Sequence, residues 1–336
     1  MSAMTRWGIL GTGKIARLFA QALRQTPGAV LAGVASRDGA KAASFAAEFG
    51  AESKHIASYG SYQALADAPG IDLVYIATPH PMHCENAIMA LNAGKGVLCE
   101  KAFTVNRREA EQLVALARHK KLFLMEAMWT RFMPALAEVR RVIASGAIGT
   151  PTQLTADFGF HATQGLEHRV FKRALGGGAL LDLGIYPLSI AAALLGPVRA
   201  VRAAAEMGPG GVDLQTAFTL EHENGALSAC ACSLKAKTPC ELTISGPLGH
   251  VRMNTQFHRA TSISVAPADR AAYEVPTPYL GNGYVHEIME AQRCWHAGLI
   301  ESPGMTHAET LALMGVMDQI RSQIGLVYPA DDSADS

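Results

Sequence analysis

The stretch Arg6-Trp-Gly-Ile-Leu-Gly-Thr-Gly-Lys-Ile-Ala16 sets a short apolar run directly before Gly11-x-Gly13-x-x-Ala16. A strand feeding a glycine turn and then a helix is the arrangement that holds a dinucleotide pyrophosphate. Gly11 permits the tight turn, and Gly13 lets the backbone approach phosphate without a Cβ in the way. Ala16 keeps the helix close to the strand, while the N–H groups around Lys14 and Ile15 face the negative charge. A second apolar strand over 30–35 is followed by Ser36-Arg37. An acidic residue there would accept from a ribose 2′-hydroxyl, whereas arginine beside a small hydroxyl suits a 2′-phosphate. The pair therefore predicts NADP, with Arg37 on the phosphate. In the competing reading Arg37 is solvated, Asp38 supplies the acid and the cofactor is NAD.

These residues need a frame. Helices over 14–25, 61–66, 83–93 and 107–119 alternate with strands over 73–77, 96–99 and 122–125. Short apolar runs bounded by Gly, Pro and Asp predict a parallel sheet covered on both faces, an α/β Rossmann domain over 1–127. Ligands on such sheets sit beyond the carboxyl ends of the strands. Thr78, Pro79, Glu100 and Lys101 fall at those ends and, with His83, join Gly11, Gly13, Lys14, Ile15, Ala16, Ser36 and Arg37 as the cofactor-binding set. Glu126 falls there too, with its role open. His80 and His83 are three apart but lack a thiolate or carboxylate at metal spacing, so they read as loop-packing residues and no metal site is expected.

From 128 to 330 the pattern changes. A connecting helix over 134–145 precedes an alternation of period two from Thr152. Runs over 212–220 and 226–234 flank Glu223-Asn224-Gly225, and runs over 242–245 and 250–254 flank Gly246-Pro-Leu-Gly249, each a hairpin signal. This predicts an α+β domain with a mostly antiparallel open sheet. Closing helices over 284–297 and 306–324 are expected to pack back on the first domain, and 331–336 to form part of a frayed tail beginning at Ala330. Cys230-x-Cys232 reads as two small residues on one strand face, not a metal or redox pair.

The chain has 336 residues, 49% hydrophobic and 17% charged, with Lys plus Arg and Asp plus Glu equal at 29. That balance gives no field to attract nucleic acid or anionic lipid. No apolar run is read as long enough to span a bilayer, and no signal peptide precedes the first strand. Six cysteines without a dense framework suit reduced thiols in the cytoplasm.

Cys99-Glu100-Lys101, the string Leu122-Phe-Leu-Met-Glu-Ala-Met-Trp129-Thr-Arg131-Phe132, and Gly176-Gly-Gly-Ala-Leu-Leu-Asp182-Leu-Gly-Ile-Tyr186 join the glycine turn in a wider likeness. Together they resemble the glucose–fructose oxidoreductase, inositol dehydrogenase and MocA family of NAD(P)-dependent oxidoreductases, from Arg6 to about Pro329. Within it the chain is most similar to the dimeric dihydrodiol dehydrogenase branch. The resemblance implies that Lys101 is the catalytic lysine and that Asp182 and Tyr186 are the catalytic pair of the second domain. Tyr186 would be the general acid and base, with cationic Lys101 favouring its phenolate. Asp182 would orient the substrate hydroxyl or the lysine. Trp129, Arg131 and Phe158 are candidates for the substrate wall, Arg131 could instead tie the domains together, and the alternative for all three is packing between the domains. The family usually places proline after the lysine, so Ala102 is expected to hold Lys101 less rigidly. Gly176-Gly177-Gly178 should allow close approach to the cofactor or the other domain, and Pro187 should kink or interrupt its helix. The resemblance further implies a homodimer through the antiparallel sheet. It implies hydride transfer between NADP and a cyclic vicinal diol or sugar; the alternative is an idle NADP-binding sensor.

Overall fold

Strand β1 (Thr5–Leu10) is buried at every position except Arg6, because it lies inside a sheet with both faces covered. It turns into α1 (Lys14–Gln25), then β2 (Ala29–Ala35), α2 (Gly39–Gly50), β3 (Ala57–Tyr59) and α3 (Tyr62–Ala66). There follow β4 (Leu73–Ile76), α4 (His83–Asn92), β5 (Gly96–Glu100), α5 (Arg107–Lys120) and β6 (Leu124–Ala127). The computed structural model describes residues 4–50 and 56–332. The chain divides into two compact units, and the first comprises Met1–Thr104, Arg108–Trp129 and Leu280–Thr310.

In unit 1 all six strands are parallel, in the order β3-β2-β1-β4-β5-β6. The order reverses between β1 and β4, and a crevice opens beyond their carboxyl ends. The core beneath is aromatic. Phe19 on α1 stacks on Tyr75 of β4, with centroids 3.6 Å apart, and meets the edge of Trp7 at 5.4 Å.

Unit 2 comprises Val105–Arg107, Thr130–Tyr279 and Leu311–Ser336. It contains α6 (Pro134–Ala144), β7 (Gln153–Gly159), α7 (Ile185–Leu195), β8 (Val198–Met207), β9 (Asp213–His222) and β10 (Leu227–Ser233). The strands β11 (Leu242–Gly246), β12 (Gly249–Met253), β13 (Ser262–Pro267) and β14 (Tyr273–Pro276) complete its sheet. The order is β14-β13-β12-β11-β7-β10-β9-β8, antiparallel except where β7 and β10 run together. Cys230 and Cys232 both face the buried side, as the period of two requires, while Ala229 and Ala231 face out. All six cysteines are free and buried, and burial pushes the Cys84 and Cys294 thiols up to about 12.

Several expectations are corrected. Pro187 does not end α7, which continues to Leu195, but it lies within a run that is helical from 179 onward, so its missing N–H withholds the usual donor from the Leu183 carbonyl. The irregularity lies just upstream, where 180–184 form a π-helical turn and the Ile185 N–H reaches the Leu180 and Leu183 carbonyls. Gly177 makes a close approach inside unit 2, since a Cβ there would lie 2.6 Å from the Arg169 and Val170 carbonyl oxygens. Of the two closing helices, α8 (Tyr284–His296) belongs to unit 1, whereas α9 (His307–Ile324) passes into unit 2 at Leu311. Residues 330–332, expected in a frayed tail, form the short turn α10 (Pro329–Asp332); 333–336 lie outside the described residues. Among the described residues one helical stretch, Arg173–Leu195, is long and apolar enough to cross a membrane, and 78% of its apolar window is buried in the protein, as in a core helix.

Candidate active site

On unit 1 the glycine turn is built as a phosphate cradle. Gly11 has φ +104°, and its N–H donates to the Ala35 carbonyl at 2.9 Å. A Cβ on Gly11 would stand 2.9 Å from the Ala77 oxygen, whereas one on Gly13 would meet no protein atom within 4 Å. Gly13 is the N-cap of α1 and supplies no side-chain cap, and the first turn carries no acidic residue. The helix therefore presents uncapped N–H groups and the positive end of its dipole, which fits a pyrophosphate. Lys14 is exposed there, Ile15 is half-buried, and Ala16 is buried against the sheet.

At the end of β2, Ser36 is buried and its Oγ accepts from the Asp38 N–H at 3.2 Å. Asp38 is already engaged: its Oδ1 accepts from the Ala40 and Lys41 N–H groups at 3.0 and 3.3 Å. These bonds to the start of α2, the one from Lys41 foremost, hold its carboxyl below the usual carboxylate range. Arg37 between them is exposed.

The ends of β4 and β5 are tied by imidazoles. His83, 1% exposed, sets Nε2 2.8 Å from the Thr78 carbonyl and Nδ1 3.0 Å from the Ala102 carbonyl. A neutral imidazole donates to one of the two, according to its tautomer. His80 places Nε2 3.2 Å from the Lys101 carbonyl. The Lys101–Ala102 peptide is cis. The turn that proline was expected to restrain is thus held by two histidines, and His83 acts on the cofactor crevice through main-chain carbonyls. Thr78 receives the Asn86 amide at 3.0 Å, beside half-buried Pro79.

Behind Lys101, Glu100 accepts a short bond from the Tyr75 hydroxyl and another from the Lys101 N–H at 3.2 Å. Glu287 of α8 is wholly buried in the same unit, and burial followed by the nearby Glu100 pushes its carboxyl well above the usual range. Glu126 is buried too, accepting from the Phe103 N–H at 3.2 Å and the Thr310 hydroxyl at 3.1 Å. It braces the end of β6 from inside. Trp129, 4% exposed, stacks on Tyr284 at 4.7 Å.

On unit 2, Asp182 lies in the π-helical turn and Tyr186 in the first turn of α7. The Arg169 guanidinium stands 3.2 Å from the Asp182 carboxylate. Tyr186 is 7% exposed, and its ring lies 5.1 Å from that of Phe158 on β7. His258 stacks on Phe158 at 4.6 Å with an interplanar angle of 11°, and lies 6.1 Å from Tyr186. Sequence reasoning missed His258: it sits in a short turn between strands, where neither spacing nor period marks it. Arg131, expected at the substrate wall or between domains, is buried and donates through Nε to Ser189 at 2.8 Å inside unit 2. Phe158, Tyr186 and His258 form one cluster, whereas Trp129 and Lys101 belong to unit 1.

Residues 5–128 match the family model described as "Oxidoreductase family, NAD-binding Rossmann fold", and 136–252 match "GFO/IDH/MocA C-terminal domain". The chain is 38% identical to a trans-1,2-dihydrobenzene-1,2-diol dehydrogenase of Danio rerio, covering 97% of this chain and 98% of that one. It is 33% identical to an NADP(+) D-xylose 1-dehydrogenase of Hypocrea jecorina, over 96% and 93%. A 3-ketoreductase from Actinomadura kijaniata, solved with NADP, superposes with a TM-score of 0.85 at 25% identity, covering 96% and 98%.

The buried imidazole of His83 generates a pH dependence. Burial lowers its pKa below the ordinary 6.5, so below that value the unfolded chain takes up a proton that the folded chain refuses. Stability from this group is complete above 6.5 and is lost as pH falls toward the lowered folded value. The His83→Gln variant, unable to titrate, should be less stable than the parent at neutral pH and lose less on acidification to about pH 5. Melting curves across that range check it; equal losses in both proteins contradict it.

Proposed function

Because the chain belongs to the GFO/IDH/MocA family of oxidoreductases, we propose that it transfers hydride between NADP and a cyclic vicinal diol or a sugar hydroxyl. It is a dehydrogenase acting on CH–OH groups, so the idle sensor is set aside. The observation that carries the substrate reading is the flat Phe158–His258 pair beside the Tyr186 phenol, with Asp182 on the same helical run. Such a face takes a planar ring on one side while polar groups take its hydroxyls. This favours a trans-dihydrodiol, with an aldopyranose as the second class.

NADP over NAD rests on the end of β2. Asp38 Oδ1 caps α2, which draws the carboxylate toward the start of that helix, and exposed Arg37 remains for a 2′-phosphate. Gly11, Gly13, Lys14, Ile15, Ala16 and Ser36 would hold the pyrophosphate and ribose, and Thr78, Pro79, Glu100 and Lys101 the nicotinamide end. When bound, the nicotinamide accepts or supplies the hydride. Tyr186 takes the hydroxyl proton, Lys101 donates a hydrogen bond to the reacting oxygen, and Asp182 orients the substrate hydroxyl.

The outer face of the eight-stranded sheet is the proposed homodimer surface. Cross-strand rows there pair Arg202, Thr219, Ala229, Thr155 and Thr243, side chains mostly short enough for a flat approach. A reducing cytoplasm suits the six free thiols.

Three measurements test these readings. NADPH formation should be seen with trans-dihydrodiols or aldopyranoses, and Tyr186→Phe and Lys101→Met should each lower turnover at least about 100-fold while retaining NADP; near-parental turnover in both would exclude the mechanism. Arg37→Ala should weaken NADP by about tenfold or more and leave NAD within about twofold; equal losses would defeat the assignment. Sedimentation at micromolar concentration should give twice the mass of the chain, and a monomer would remove the dimer.

A further inference from the structure

The helical run that carries Asp182 begins at a glycine triplet, and the C-terminal end of the chain grips that triplet. The Tyr328 hydroxyl, wholly buried, donates to the Gly177 carbonyl at 2.6 Å. The Gly177 and Gly178 N–H groups donate back to the Lys172 and Val170 carbonyls at 3.0 and 2.9 Å. Those carbonyls belong to the segment carrying Arg169, whose guanidinium pairs with Asp182 at 3.2 Å. From the other side, Asp213 Oδ2 accepts from the Leu180 N–H at 2.8 Å and from the Thr216 hydroxyl at 2.7 Å. Gly178 has φ +117°, and a Cβ there would collide with the Asp213 carboxylate. The carboxylate therefore fills the place of a side chain against the start of the π-helical turn.

Tyr328 is itself anchored. Its N–H donates to Asp331 Oδ2 at 2.8 Å, and the Arg321 guanidinium lies 5.4 Å over its ring. Arg321, 5% exposed, pairs with Asp331 at 2.6 Å and with Asp318 at 2.7 Å. Asn106 holds the second Asp331 oxygen at 2.9 Å. These bonds fix the turn after α9 onto the Gly177 carbonyl. Neither Tyr328 nor Asp213 belongs to the reacting set; each acts on backbone that leads to Asp182.

We propose that Tyr328 and Asp213 are positioning residues: a C-terminal latch that holds the Arg169–Asp182 pair and the π-helical turn in place for catalysis. The catalytic half of this rests on Asp182 acting in the site; the positioning half does not. Losing the Tyr328 hydroxyl leaves the buried Gly177 carbonyl without that donor, at the bend that leads into the π-helical turn.

The test uses the full chain and Tyr328→Phe, which keeps the ring under Arg321 and removes only the hydroxyl. Hydrogen exchange followed by mass should rise at least tenfold over 169–184, with β9 and β10 protected as in the parent. Turnover should fall about tenfold, while NADPH affinity, read by fluorescence, stays within twofold. Asp331→Asn, which weakens the anchor and spares the hydroxyl, should raise exchange in the same segment by less. Parental protection over 169–184, or an equal rise across the sheet strands, overturns the latch. If exchange rises there but Tyr328→Phe turns over at the parental rate, the catalytic consequence falls. Asp182→Asn, assayed alongside, separates the two readings. Should it turn over like the parent, the role of Asp182 is lost, and the exchange pattern still decides the latch.

Discussion

Parallel strands end in carbonyl groups and chain turns that the sheet cannot satisfy, and in unit 1 the imidazole of His83 lies between two such carbonyls and donates to one of them. Its ring nitrogens face the carbonyls of Thr78 and Ala102, which follow adjacent strands β4 and β5. The tie stands beside the cofactor crevice, next to Pro79 and Lys101 at the ends of β4 and β5. A hydrogen bond of this kind contributes only about 1 kcal/mol net, whereas an orphaned buried carbonyl costs about 1–3. Leaving the arrangement is thus penalised more heavily than forming it is rewarded, so the tie contributes more to geometry than to stability.

Unit 2 solves the same problem with different atoms. Asp213 takes the N–H of Leu180 and Tyr328 takes the carbonyl of Gly177, so both ends of the glycine bend are satisfied by buried side chains. The π-helical turn follows directly. An extra residue in that turn changes the direction in which Asp182 leaves the backbone before α7 resumes a regular course. Tyr186 then stands in the first turn of a helix whose remaining residues are almost all buried, which leaves it little freedom to shift.

Much of this is legible in the residues. Helix α1 occupies 14–25 as its apolar spacing and the Pro27-Gly28 stop require, and the Glu223-Asn224-Gly225 turn joins antiparallel β9 and β10. The parallel sheet follows from apolar runs alternating with helices. Helix α2 escapes because alanine fills so much of it that its buried stripe barely shows, and β3 because three residues carry no period. Asp38 is the ribose acid of the competing NAD reading, and its Oδ1 caps a helix; both uses ask for an acceptor at the end of a strand, and sequence alone gives no direction to the side chain. Pro187 does signal an irregular helix, because proline offers no N–H to the carbonyl four residues back, and the π-helical turn lies directly upstream of it. His258 and the Tyr328 latch are invisible for a different reason. Both act through contacts about 100 residues or more apart in sequence, with Phe158 and with Gly177, and no local pattern records such a contact.

The two units divide the work by the kind of group they present. Around Gly11 and Gly13 the recognising groups are main-chain N–H donors, which any sequence with the right turn can offer. Around Tyr186, in the function proposed, they are side chains: a phenol, a carboxylate paired with Arg169, and two stacked rings. Main-chain recognition fixes the class of ligand, because it depends on fold alone. Side-chain recognition can change one residue at a time while the backbone stays as it is. Selection for a new substrate therefore acts most cheaply on positions such as Phe158 and His258. Asp213 and Tyr328 are bound to the opposite behaviour, since each holds backbone that leads to Asp182.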